Sequence, residues 1–72
     1  MTAPRDAISH SQFDDETREM LLAVYDRLQR DYGMDEESAI AVVDRILELA
    51  DAGERSYVVI LQKAAPSASQ RR

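Results

Sequence analysis

Few residues of this 72-residue chain are of a type and spacing that could do chemistry. Two acidic triplets stand out, Asp14-Asp15-Glu16 and Asp35-Glu36-Glu37, together with a single histidine, His10, and Ser38 just after the second triplet. Neighbouring carboxylates do acid–base work only where burial or mutual repulsion drives their pKa values apart. Both triplets precede stretches of helical periodicity, where acids cap free backbone N–H groups and face the positive end of the helix dipole. They read as helix starts. Asp31 to Val42 fails as a calcium loop, because Glu36 stands where a sharp turn needs glycine and Val42 where a bidentate glutamate is needed. A serine carrying phosphopantetheine follows Asp and precedes Leu, whereas Ser38 lies between Glu37 and Ala39. His10 lies between two serines outside any periodic stretch, so nothing holds it as a general base. With no cysteine, one histidine and only two glycines, the chain offers no thiolate or multi-histidine metal site and no phosphate-cradling loop. The expectation is a non-enzyme with no catalytic, cofactor-binding or metal-binding residue.

Charge narrows the partners. The net charge is −5, but residues 14–55 carry thirteen carboxylates against five arginines, a net of −8. A duplex-reading helix needs a basic face to displace counterions. The stretch from Glu36 to Asp51 offers Arg45 against five acids. Nucleic acid is therefore not the expected partner, and an acidic body steers instead towards a basic patch on another protein. A nucleic-acid mimic is one variant of that reading. The alternative is a dimeric DNA-binding regulator using the basic C-terminal tail, with Lys63, Arg71 and Arg72. No apolar run approaches the roughly 18 residues of a membrane span, and Met1 to Ser11 lacks an apolar leader core, so a cytoplasmic protein is expected.

The elements that would position these residues follow from periodicity. Phe13, Thr17, Leu21, Val24, Leu28 and Tyr32 step by four, four, three, four and four, which predicts a helix over 15–32, widened by Met20 and Tyr25. Gly33 is placed to end it in a left-handed conformation, with Met34 packing back towards Leu28. Asp35 then caps a second helix, whose expected buried stripe is Ile40, Val43, Ile46, Leu47 and Ala50, flanked by Val42 and Leu49 and ended at Gly53. So short a link makes the two helices an antiparallel hairpin. Residues 1–12 and 65–72, rich in Ser, Pro and polar residues, are expected to be mobile tails around a single domain over 13–64.

The run Tyr57-Val58-Val59-Ile60-Leu61 admits two readings. Its β-branched residues favour a strand, which would have to pair with a second molecule. A short third helix, capped by Ser56 and ending before Pro66, satisfies its own backbone. Either way, five large apolar residues exceed what a two-helix body hides, so Tyr57, Val58, Val59, Ile60 and Leu61 are the candidate interface. A chain this short, without disulfides, buries only about 60% of its unfolded surface. An all-α homodimer resembling a four-helix bundle answers that shortfall. The expected function is a non-enzymatic interaction or regulatory module.

Phe13-Asp14-Asp15-Glu16-Thr17 with Met20, and Ile46-Leu47-Glu48-Leu49-Ala50 leading into Gly53-Glu54-Arg55, resemble a group of small alphaproteobacterial helical proteins to which no function is assigned. The resemblance spans roughly residues 13–56 and implies a helical hairpin followed by a short, polar-capped third helix. The segment after Gly-Glu-Arg is more apolar here than in that group.

Overall fold

A computed structural model describes residues 3–65. Four helices follow one another: α1 (Pro4–Ser9), α2 (Asp15–Tyr32), α3 (Glu36–Asp51) and α4 (Tyr57–Ala64). No strand occurs among the described residues. The apolar run that admitted a strand reading is helical: Ser56 Oγ accepts from the Val59 amide at 3.3 Å, and the Ile60 amide donates to the Ser56 carbonyl at 2.9 Å. The helix supplies its backbone hydrogen bonds from within the chain, which a lone strand could not.

Local chemistry sets the boundaries of α2 and α3. Asp14 is the N-cap of α2 in an extended conformation, although its carboxylate makes no capping hydrogen bond. Gly33 closes α2 at φ 56°, ψ 51°, its amide donating to the Gln29 carbonyl at 2.8 Å. Only glycine adopts that left-handed geometry without steric cost. Two residues later the Asp35 carboxylate accepts from the Ser38 amide at 2.9 Å and caps α3. Ala52 caps the far end of α3, and Gly53, expected as the stop, lies one residue beyond.

α2 and α3 pack together, α1 lies across both on one side, and α4 lies across both on another; the backbones of α1 and α4 do not approach one another. The core comprises Ile8 from α1, Leu21, Val24, Tyr25 and Leu28 from α2, Ala39, Val42, Val43, Ile46 and Ala50 from α3, and Ile60 and Ala64 from α4. No charged or polar residue is buried among the described residues.

Three sequence expectations change here. The segment 1–12, expected to be a mobile tail, contains α1, whose Ile8 is completely buried. Pro4 at the first turn supplies a helical φ, and its missing N–H has no intrahelical partner to lose there. The buried stripe of α3 also sits one residue away from expectation at its start. Ala39 is inside and Ile40 is 46% exposed. Ala39, Val42, Val43, Ile46 and Ala50 lie on a common side at 3.6 residues per turn, and Ile40 does not join them. Tyr32, placed at the end of the α2 stripe, is exposed in the last turn. The C-terminal residues 66–72 lie outside the described residues.

Candidate interaction surface

The five candidate interface residues divide by helical angle. Ile60 is fully buried, and Tyr57 and Leu61 are half-buried against the core; with Ala64 they recur at i, i+3, i+4 and i+7 and form the inward side of α4. Val59 is half-buried, and Val58 is exposed. A helix therefore brings Tyr57, Ile60 and Leu61 together against the body and turns Val58 away from them. Val58 is 57% exposed, the largest exposure among the big apolar side chains described, ahead of Tyr32 and Ile40.

The chemistry-bearing residues do not converge. His10 is exposed at the end of α1, where its amide donates to the Asp6 carbonyl at 2.9 Å. Ser38 is exposed in the first turn of α3 and serves through its backbone N–H. That hydrogen bond holds the Asp35 carboxyl below its ordinary pKa, as capping an anion must. Asp15 pairs with Arg18, and Asp31 with Arg27 at 2.8 Å. Val42, at the glutamate position of the rejected calcium loop, is buried. No cluster of three or more His, Asp or Glu side chains able to hold a metal occurs among the described residues.

One ion pair ties α1 down, and two further arginines hold the segment ends around it. Arg5 Nε and Nη2 donate to the two carboxylate oxygens of Asp26 at 3.0 and 2.9 Å. The hydrogen bonds from Arg5 hold the Asp26 carboxyl below its usual range. Arg18 Nη1 donates to the carbonyls of Phe13 and Ser11 at 2.8 and 3.2 Å, fixing the link between α1 and α2. Arg55 Nη1 donates to the Ala50 carbonyl at 2.5 Å, and its guanidinium lies 5.2 Å from the centre of the Phe13 ring.

An open groove of about 630 Å³ runs between α1 and the C-terminal half of α3, with Phe13 and Leu47 among its apolar lining and Asp44, Glu48 and Asp51 on the α3 side. Periodicity alone could have marked these α3 residues as one outward face. The groove itself needs α1, which has no periodic signature. Lys63, the tail cation within the described residues, is exposed at the end of α4. Arg71 and Arg72 lie outside the described residues.

These features define a small all-α protein with an acidic, helix-built exterior. No helix among the described residues is long and apolar enough to cross a membrane. Comparison with protein-family models, curated proteins and solved structures yields no match.

Proposed function

We propose that this protein is a non-enzymatic interaction module that self-associates through the outward side of α4. In this reading α2 and α3 form an antiparallel hairpin, α4 packs on it, and two copies complete a four-helix-bundle-like dimer. Val58 carries the proposal. An aliphatic side chain 57% exposed, on the most apolar of the four helices, retains surface that a second chain would remove from water. The acidic body then serves recognition of a further protein by attracting basic patches and repelling nucleic acid.

Sedimentation equilibrium of the native chain and of Val58→Asp tests it, with helicity followed by circular dichroism. The native chain should shift from monomer to dimer with concentration, and Val58→Asp should stay monomeric at unchanged helicity. A native chain that is monomeric at every concentration overturns self-association.

A further inference from the structure

We infer that the outward face of α3 docks a basic amphipathic helix of a partner protein. Glu37, Ile40, Asp44, Leu47, Glu48 and Asp51 step by three, four, three, one and three residues, so they share the flank of α3 beside its buried stripe. All are exposed except Leu47, which is half-buried against the core instead of fully inside as its place in the expected stripe implied. The face extends over fourteen residue steps, about 21 Å or four turns. Its two apolar residues, Ile40 and Leu47, stand seven apart, the spacing at which one helix offers knobs to another. Ile40 is 46% exposed at the N-terminal end, beside Asp35, Glu36 and Glu37. Leu47 lies in the groove at the C-terminal end, where the α1–α2 link raises a second wall with Phe13.

Charge decides the occupant. Glu37, Asp44 and Asp51 have no ion-pair partner among the described residues, and Glu48 is paired with Arg45 on its own helix at 3.2 Å. Two copies meeting through this face would set carboxylate against carboxylate. A helix with leucine-like residues at heptad spacing, flanked by Lys and Arg, would instead fill the positions around Ile40 and Leu47 and pair the acids along both sides. This deepens the interaction-module reading by naming a partner chemistry and a face distinct from that of Val58.

The test uses the full chain and a synthetic eighteen-residue helix with leucines at seven-residue spacing and Lys and Arg at the flanking positions. Binding is read by fluorescence anisotropy in 0.15 M salt, where the Debye length is about 8 Å. Asp44→Lys/Asp51→Lys and Ile40→Ser should each weaken binding at least about tenfold. Glu16→Lys/Glu19→Lys changes net charge equally on α2, and Val58→Asp alters α4; both should bind within about twofold of native. No binding by the native chain overturns the inference. So does equal weakening by the two double-lysine variants, which would mean attraction by net charge alone. Loss of binding in Val58→Asp places the helix on α4, and loss of self-association in Ile40→Ser gives the face to a second copy; either result also overturns it. Binding that survives in Val58→Asp upholds this inference even if the native chain proves monomeric.

Discussion

Arg5 on α1 and Asp26 on α2 meet through two parallel hydrogen bonds across twenty-one residues of sequence, so the N-terminal helix is fastened near the middle of the longest one. Both side chains are about half exposed, so water and side-chain entropy reduce the gain. Arg5→Ala should destabilise the fold by no more than about 1 kcal/mol in urea denaturation. Asp26 should supply a pH signature. Its folded pKa is depressed, chiefly by the hydrogen bonds from Arg5, while the unfolded carboxyl titrates near 3.9. The contribution is therefore complete above that unfolded value and is lost as pH falls through the lower folded value. The stability gap between native and Asp26→Asn should be constant from pH 7 to 5 and close below about pH 4. A gap that widens on acidification contradicts the pairing.

Ile8 should matter more than the ion pair beside it. It is fully buried and is the only buried residue of α1. Ile8→Ala removes three carbons from a close-packed site and should cost about 2–5 kcal/mol. In a domain this small, that is a large part of the total stability. Thermal unfolding followed at 222 nm should show a much lower midpoint, and hydrogen exchange should show lost protection along the facing parts of α2 and α3. A change below about 0.5 kcal/mol would mean that α1 is not packed in solution.

Much of this architecture can be read from residue types, and its failures have specific causes. α2 is legible because Leu21, Val24 and Leu28 keep one buried face, widened by Tyr25, and Gly33 and Asp35 punctuate the link to α3. α1 escapes notice because six residues carry one buried side chain, and one apolar residue has no period. On α3 the eye chooses Ile40 over Ala39 because isoleucine is the more hydrophobic. The helix is instead oriented by Val43, Ile46 and Ala50, and a small residue fits where α3 approaches its neighbours. The division within Tyr57–Leu61 follows from period once helix is chosen over strand, which depends on packing against α2 and α3. The outward face of α3 is legible as a stripe, but its meaning as a groove depends on α1.

Ile60 and Val58 give opposite outcomes two residues apart. Ile60→Ala opens a cavity at a fully buried position and should cost about 2–5 kcal/mol. Val58→Ala changes an exposed side chain and should alter monomer stability by no more than about 0.5 kcal/mol. Chemical denaturation at low protein concentration separates the two without interference from association. Equal costs would refute the helical register of α4.

Arg55 and Phe13 join two segment ends that are remote in sequence. The guanidinium lies over the ring that precedes α2 while Nη1 donates to the Ala50 carbonyl near the end of α3. The same carbonyl also accepts from the Gly53 amide at 3.0 Å, so Arg55 adds a second donor to an acceptor at the end of α3. The ring contact adds about 0.5–1 kcal/mol at an exposed site. A double-mutant cycle with Phe13→Leu and Arg55→Met should therefore give a coupling of about that size. Arg55→Lys should retain only part of it, because an ammonium lacks the planar group that both stacks and reaches the carbonyl. A coupling indistinguishable from zero would leave the arginine attached to the end of α3 alone. The entry to α2 would then be held through the bonds from Arg18 to the Ser11 and Phe13 carbonyls, and Arg18→Met, not Arg55→Met, would be the variant that loosens α1 in hydrogen exchange.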